Sequence, residues 1–568
     1  MGQQTSVPQG DQNEADNKGK RFASSVDLMQ YFNKRAIGFF SVAEIAAFKS
    51  RFDGRKLSAT IKSADLAEWL HIPGDSVLLC QMIYEFVRVL SNFPLMKDAF
   101  EEVTGVGLLK AILLSDPVRC HKYVGVKNYD YLKLLFIAFS TRKSVKEELS
   151  SGSSTSLEEG EDLKKLIRNY NGIAVDELVL DAKLLLQLLT WLLLLTSHCP
   201  TGNCEFPDET AYNDWSSYKQ AATCLLRAMN PEIISVSDLQ SVTFEQFSSS
   251  IKAIMPNIFR PLQKLMEHLL YRDEDLVACL LDTGNLRNRS KLMTQPVLAQ
   301  LFVSLPDKLS VSNLQKLYVG SESGFSMRSL QAKVFKWMAP TLLLVSGKSI
   351  LDDEEFSKSN PRYRKFLSEF PKLKEGTPNP FDLRSNKTKV TFAIYVPDPW
   401  RVTNKDFFGG LGTTIVQLAP IQDVFKAVKD GTMYFNTMGG GIGIGDNQPQ
   451  IKASSKSYSV GNVSLTIDNT LEFAAFRQTG YGGIFSPSSR LKEIHKENRP
   501  FEVRFLIQHV EVWGCGGEKE LEEQYKKWQW EEAEAKRRQQ INLRSIGEDR
   551  ALLEMAGIIG HAQSGGSI

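Results

Sequence analysis

Apolar side chains recur about every 3.6 residues through the first half of the chain, which is the period of amphipathic helices. Ser41 and Glu44 have the spacing of a capping box, and Ile45 and Phe48 follow on one helical face. The same period continues through residues 163–281. The pattern therefore predicts a helical first half.

The most apolar stretch of this half is the leucine-rich run Leu184–Leu195. It contains 12 residues, whereas a helix that crosses a bilayer needs about 20. We therefore predict a helix buried in the core of the protein.

The segment that starts at Asp53 resembles an EF-hand calcium loop in its position between two predicted helices. Ser58 stands where such a loop needs glycine, and Ala64 stands where it needs glutamate. Calcium binding is therefore not predicted. The region is either a degenerate EF-hand-like helix pair or an ordinary helical bundle.

After about residue 340 the apolar positions change to a period of two, which is typical of strands. Val463, Leu465 and Ile467 share one face, while Thr341–Val345 and Lys389–Val396 are apolar on both sides, as in strands buried within a sandwich. The second half is therefore predicted to be β-rich.

One predicted strand near the end of this half changes its phase. Phe505 and Ile507 continue an alternation that begins at Phe501, but Val510 and Val512 then carry the apolar face. A slip of one residue exchanges the two faces of a strand, so we predict a bulge or bend near His509.

The chain begins with a polar segment that matches an acylation signal. Met1-Gly2-Gln3-Gln4-Thr5-Ser6 fits the pattern for N-myristoylation of Gly2. A single myristoyl chain binds membranes only marginally, so it predicts a reversible membrane contact.

A charged helix is predicted for Glu518–Gln540, which contains seven acids and six bases. Four acid and base pairs stand four residues apart, an order that supports an isolated helix: Glu522 with Lys526, Glu523 with Lys527, Glu532 with Lys536 and Glu534 with Arg538. Leu521, Tyr525 and Trp528 form a narrow apolar stripe, with Trp530 to one side. A stripe this narrow suits docking, either on the protein's own body or in the groove of a partner.

A second short helix is predicted after it. Ser545 and Glu548 have capping-box spacing, and Gly557 is a plausible stop.

The composition indicates which cellular compartment and which class of partner to expect. The 568 residues carry a formal net charge of +2, so the whole chain lacks the positive field that attracts nucleic acid. Seven cysteines are too few for a disulfide framework and indicate a reducing compartment. The protein is expected in the cytoplasm.

Several motifs partly match the sequence patterns of known catalytic or metal sites, and each lacks a residue or a spacing that the pattern requires. The Gly439–Gly445 run contains no G-x-G-x-x-G and is predicted to form tight turns or close backbone contacts. Gly347-Lys348-Ser349 has Leu342 where a phosphate loop needs glycine. His198, Cys199, Cys204 and Cys224 lack zinc-finger spacing. We therefore predict no catalytic, cofactor-binding or metal-binding residues.

The second half carries an ordered set of motifs that resembles the TLDc domain. They include Phe325–Leu330, Ala339–Leu344, Phe392–Trp400, Tyr434–Asn436, Gly440–Gly445 and Val510–Gly514. The chain departs from the wider TLDc pattern at Leu471–Phe476, where a Thr-Phe-x-Asn segment is expected. With the Gly2 signal and Glu548–Gly557, the whole chain resembles the fungal restriction of telomere capping protein family, in the branch numbered five.

This resemblance implies an α+β fold: a helical N-terminal half, then a TLDc β-sandwich flanked by helices, then a C-terminal helical extension. The predicted segments are a tail with the myristoylation signal (1–24), a helical region (25–149), a Ser/Gly linker (150–160), a second helical region (161–289), the TLDc domain (290–515) and the extension (516–568). The linker marks either a domain boundary or a long loop inside one helical unit.

The resemblance also implies a function. Relatives are implicated in oxidative-stress resistance and bind the vacuolar proton-pumping ATPase, whose assembly they influence. The expectation is a non-enzymatic adaptor, peripheral at the vacuolar membrane, with an indirect link to telomere capping. The alternatives are a hydrolase with an unrecognised site on the sandwich and a protein that binds telomeres directly.

Overall fold

A computed structural model provides the architecture. It describes residues 22, 24–51, 56–73, 76–98, 102–140, 161–198, 209–233, 240–271, 290–305, 309, 314–350, 353–371, 373, 388–452, 455–488, 501–516, 522, 523, 525, 526, 529, 530, 532–534 and 536–538. The predictions for Gly2, Asp53, Leu521, Trp528 and the second C-terminal helix lie outside these residues, as do those for residues 150–160, Cys199, Cys204 and Lys527.

The first half is helical, as predicted. Its helices are α1 (Ser25–Gly38), α2 (Val42–Ser50), α3 (Ser63–Trp69), α4 (Val77–Ser91), α5 (Gly105–Ser115), α6 (Pro117–Val124), α7 (Tyr131–Phe139), α8 (Glu161–Arg168), α9 (Ala182–His198), α10 (Trp215–Met229), α11 (Phe244–Ala253), α12 (Arg260–His268) and α13 (Gln295–Ser304). Strands β1 (Leu180–Asp181) and β2 (Ser241–Val242) form a small pair beside them. The capping box of Ser41 and Glu44 is present at the start of α2.

Helices from both sides of residues 141–160 share one hydrophobic core. The ring centroids of Phe139 on α7 and Phe259 beside α12 are 5.8 Å apart, and those of Phe136 and Phe247 are 5.4 Å apart. Helix α9 carries the leucine-rich run, and its Trp191 is buried with the surrounding leucines, as predicted. Within the described ranges no helix combines the length and the apolar content needed to cross a bilayer.

The second half forms a large antiparallel sheet with four short helices. The strands are β3 (Gln315–Val319), β4 (Thr341–Ile350), β5 (Lys389–Val396), β6 (Thr414–Ala419), β7 (Asp423–Lys426), β8 (Met433–Asn436), β9 (Gly441–Ile444), β10 (Asn447–Ile451), β11 (Lys456–Ser459), β12 (Val463–Ile467), β13 (Phe473–Gln478) and β14 (Phe501–Gly514). The helices are α14 (Gly320–Ser323), α15 (Met327–Val334), α16 (Asp353–Ser359) and α17 (Pro361–Glu369).

Strand β14 lies at the centre of this sheet. The order is β7-β6-β5-β4-β14-β13-β12-β9-β8, while β3 also pairs with β14, and β10 and β11 form a separate hairpin. The register between β14 and β4 shifts between Ile507 and His509, which confirms the predicted bulge. The bulge lets one long strand pair with β13 through its first half and with β3 through its last residues.

The sheet curves over its own inner face. Phe392 on β5 and Phe476 on β13 are separated by two strands, yet their ring centroids lie 4.7 Å apart. Alternate side chains of β4 divide between two cores, with Leu343 in the inner core and Leu342 and Leu344 in the core of the helical half. One face of the sheet is therefore the interior of a sandwich, and part of the other face packs on the helices.

A buried carboxylate joins these two halves. Glu511 of β14 is 1% exposed and accepts hydrogen bonds from Ser290 Oγ (2.6 Å), the backbone N of Lys291 (3.1 Å) and Leu292 (3.0 Å) and Trp513 Nε1 (3.0 Å). It thereby positions the segment that leads into α13. Isolated buried carboxylates are unfavourable, and these four donors satisfy this one.

Helices α16 and α17 cover the outer face of the sheet near β11 and β13. Tyr363, Phe366 and Phe473 pack in a small aromatic core there. Around it lies a network of buried charges: Arg477 donates to Glu502 at 2.6 Å, and Arg504 pairs with Glu502 and Asp353.

The Gly439–Gly445 run forms a turn and strand β9, as predicted. Gly441 has φ +75°, and a Cβ there would lie 2.2 Å from the carbonyl oxygen of Ile467. A Cβ on Gly443 would lie 2.2 Å from the ring of Tyr434. Glycine is required because the neighbouring groups leave no room for a side chain. Gly347-Lys348-Ser349 lies inside β4 rather than after a strand.

The buried carboxyl group of Asp446 is expected to make the stability of the protein depend on pH. Burial raises the pKa of this carboxyl to about 6, although the Thr466 hydroxyl and the Gly461 amide donate to it. The native state therefore binds a proton more tightly than the unfolded chain, so this group lowers stability as pH rises from about 4 to 6. We expect Asp446→Asn to raise the free energy of unfolding by about 2 kcal/mol at pH 7.5.

Urea unfolding at pH 7.5 and pH 5 checks this expectation. The advantage of the variant should shrink at pH 5, where part of the wild-type carboxyl is already neutral. An advantage that is equal at both pH values would show that Asp446 does not titrate in this window.

Candidate docking surface

One edge of the sheet brings together the ends of four neighbouring strands. Thr341 at the start of β4 pairs with Val396 at the end of β5, and Thr414 at the start of β6 pairs with Lys426 at the end of β7. Tyr395 of β5 in turn pairs with Thr414. The loops that flank these strands therefore lie side by side.

Large apolar side chains project from these loops into solvent. Met338 is 61% exposed, Leu411 is 59% exposed and Val428 is 53% exposed. Tyr481 is 54% exposed. It lies three positions before Ile484, whose carbonyl oxygen accepts a hydrogen bond from the backbone N of Val428 at 2.9 Å, so Tyr481 belongs to the same part of the surface as Val428. We call these four residues the strand-end ridge. Single exposed apolar residues are ordinary on a surface, but several at one end of a sheet make that end a candidate interaction site.

The chain leaves the sheet at this same edge. Cys515 follows β14, and its backbone N donates to Pro340 O at 2.7 Å, two residues beyond Met338. The described residues from 522 to 538 are helical, as predicted. Tyr525 Oη donates to Gln315 Oε1 at 3.3 Å, and Gln315 pairs with Gly514 at the end of β14. Tyr525 of the C-terminal helix therefore lies at the same end of the sheet as the strand-end ridge.

The helix is held by ion pairs on its own surface. Glu522 pairs with Lys526 (3.9 Å) and Glu532 pairs with Lys536 (3.0 Å), each four residues apart. Glu534 pairs with Arg537, three residues away, at 3.3 Å. Residues three apart share a helical face as well as those four apart, so Arg537 is also within reach.

Two of the four predicted docking residues can be located. Tyr525 is 50% exposed and Trp530 is 66% exposed, so both rings are available for contact. Sequence reasoning missed the strand-end ridge. Leu411 stands between two glycines and Met338 stands just before Ala339-Pro340, and an apolar residue in such a turn is a weak signal of exposure.

The described thiols are poorly suited to nucleophilic chemistry. Burial raises the pKa of Cys224 to about 11 and the pKa of Cys120 and Cys515 to about 12. At neutral pH these cysteines stay protonated, and the thiol form is the unreactive one. In the part of the chain that the structure describes, no three histidine, cysteine, aspartate or glutamate side chains are grouped to hold a metal ion.

The curved sheet and its flanking helices define a TLDc-domain protein, and the TLDc family model matches residues 286–516. Over the whole chain, the protein is 50% identical to Restriction of telomere capping protein 5 of Saccharomyces cerevisiae strain YJM789, with 100% of both chains covered. The protein of that name from Zygosaccharomyces rouxii is 50% identical, covering 96% of this chain and 97% of the relative. The one from Kluyveromyces lactis is 47% identical over 100% of both chains. This chain belongs to the restriction of telomere capping protein 5 family.

Proposed function

We propose that this protein is a non-enzymatic adaptor that binds the vacuolar proton-pumping ATPase and regulates its assembly. The partner is the one that the family resemblance implies. The observation that carries the proposal is the C-terminal helix, which presents Tyr525 and Trp530 to solvent beside the strand-end ridge.

The chemistry of this surface suits a protein partner. Tyrosine and tryptophan are enriched among the residues that dominate binding energy in protein interfaces. They present large apolar areas with few rotatable bonds, so little conformational entropy is lost when they are fixed. The strand-end ridge adds apolar contact area, and the charged face of the helix supplies a polar rim.

One described contact between the helix and the sheet is the hydrogen bond of Tyr525. The hydrogen bond from Tyr525 to Gln315 is 3.3 Å long and partly exposed, and a neutral hydrogen bond contributes about 0.5–1.5 kcal/mol. The ion pairs of the helix join residues of the helix itself, so they persist if the helix moves as a unit.

Membrane contact is part of the proposal. Myristoylated Gly2 would bring the cytoplasmic protein reversibly to the vacuolar membrane, where the ATPase resides. The relatives are named for restriction of telomere capping, and we propose that any such link is indirect in this protein, because a net charge of +2 provides little attraction for DNA.

The double variant Tyr525→Ala, Trp530→Ala tests the docking role of the helix. We expect it to recover at least about tenfold less ATPase than the wild type in affinity purification, since one such anchor contributes about 2 kcal/mol or more. The matched control is Tyr525→Phe, which keeps the ring and removes only the hydroxyl that bonds Gln315.

The control should recover the ATPase as well as the wild type does. Equal recovery by the double variant would contradict the proposal. Loss of recovery by Tyr525→Phe alone would also contradict it, because it would assign the role to the internal contact.

A further inference from the structure

A second surface lies on the outer face of the sheet, around the bulge in β14. His509 pairs with Ser346 of β4, which pairs with Thr391 of β5. In the next row, Lys348 of β4 pairs directly with Lys389 of β5. Direct partners in an antiparallel pair point to the same face, so these side chains form a compact patch across three strands.

Lys291 borders the same patch. Its backbone N donates to Glu511, two residues from His509 on β14. Burial lowers the pKa of His509, and the charges of Lys291 and Lys389 lower it further, while the charge of Glu511 opposes them. We call Lys291, Lys348, Lys389 and His509 the basic crease.

Among the described residues, no acidic side chain forms an ion pair with the lysines of the basic crease. The side chains of Lys291, Lys348 and Lys389 are exposed. Glu511 is the nearby acid, and its oxygens already accept four hydrogen bonds.

The pairing of Lys348 with Lys389 is unfavourable in the free protein. Cβ atoms of direct cross-strand partners are about 5 Å apart, and like charges in that position repel. A bound anion would remove this repulsion and would also interact with both ammonium groups. The pair therefore favours an anion over an empty surface.

We propose that the basic crease binds the phosphate of an anionic lipid headgroup at the membrane surface. The choice of a lipid rests on the proposed myristoylation, because one myristoyl chain needs a second signal for stable anchoring. The N-terminal tail does not supply that signal: Lys18, Lys20 and Arg21 are offset there by Asp11, Glu14 and Asp16. The folded body would supply it through the basic crease.

Sedimentation with vesicles tests this proposal on full-length protein made without the acyl chain, so the result does not depend on Gly2. The vesicles are phosphatidylcholine with and without phosphatidylinositol phosphate. The test variant is Lys348→Gln, Lys389→Gln, which removes a repulsive pair and should fold at least as stably as the wild type. The matched control is Lys252→Gln, Lys333→Gln, which makes the same charge change at exposed lysines of α11 and α15.

We expect the wild type to bind the phosphoinositide vesicles, and the crease variant to bind them about 25-fold more weakly, at about fivefold for each lysine. The control variant should bind within about twofold of the wild type. Equal binding by the crease variant and the wild type would overturn the proposal. Binding of a soluble phosphopeptide through these lysines, without affinity for the vesicles, would overturn it in favour of a peptide site.

The vesicle result is separate from the proposed function. If the ATPase is recovered with the crease variant but not with Tyr525→Ala, Trp530→Ala, docking and lipid binding are distinct. Vesicle binding without any recovery of the ATPase by the wild type would refute the adaptor proposal and leave the crease intact.

Discussion

Glu511→Ala is expected to lower the free energy of unfolding by about 3–5 kcal/mol, because it removes the acceptor shared by four donors at the junction of the two halves. Ser290 Oγ, the two backbone N–H groups and Trp513 Nε1 would lose their partner in a place that water reaches poorly. Replacing a buried acceptor costs more than the bond itself contributes, since the donors stay buried and unsatisfied.

Urea unfolding monitored by circular dichroism measures this loss. Glu322→Ala is the matched control: Glu322 pairs with Lys316 at 2.7 Å, but its side chain is 52% exposed, so its removal should change stability by less than about 1 kcal/mol. An equally small change for Glu511→Ala would show that the junction does not depend on the carboxylate.

Much of the fold could be predicted because local patterns determine it. The bulge near His509 follows from a change of phase that only a strand with one buried face would show. The buried helix α9 could be predicted because its leucine-rich run is too short to span a bilayer and too apolar to lie on the protein surface. In both cases the residues that carry the signal are neighbours in the chain.

The buried charges could not be predicted in this way. Arg477 and Glu502 are 25 positions apart, and Arg504 and Asp353 are 151 positions apart. Each of these residues alone resembles an ordinary solvated charge. The register of β13 and β14 places Arg477 opposite Glu502, and the packing of α16 on the sheet brings Asp353 to Arg504. Both contacts therefore depend on the tertiary structure.

The candidate sites also differ in whether the sequence alone could predict them. The stripe of Leu521, Tyr525 and Trp528 could be predicted because helical spacing reveals which residues share a face, with Trp530 to one side. The strand-end ridge could not be predicted, because its members come from separate loops, and those of Met338 and Leu411 are more than 50 positions apart. The basic crease was also missed, since Lys348 and Lys389 meet only through the register of β4 and β5.

We propose that the C-terminal helix holds this protein on the vacuolar ATPase. Deletion of residues 518–568 removes the helix after β14 ends at Gly514, so the sheet should remain folded. Loss of Tyr525 and Trp530 together with the rest of the helix should have a larger effect than substitution of the two rings alone.

Affinity purification of the full-length protein beside the 518–568 deletion tests the claim most directly. An unchanged urea midpoint for the main unfolding transition of the deletion variant establishes that its sheet is intact. We expect the wild type to recover ATPase subunits and the deletion variant to recover none above background. Undiminished recovery by the folded deletion variant would contradict the proposed docking role of the C-terminal helix.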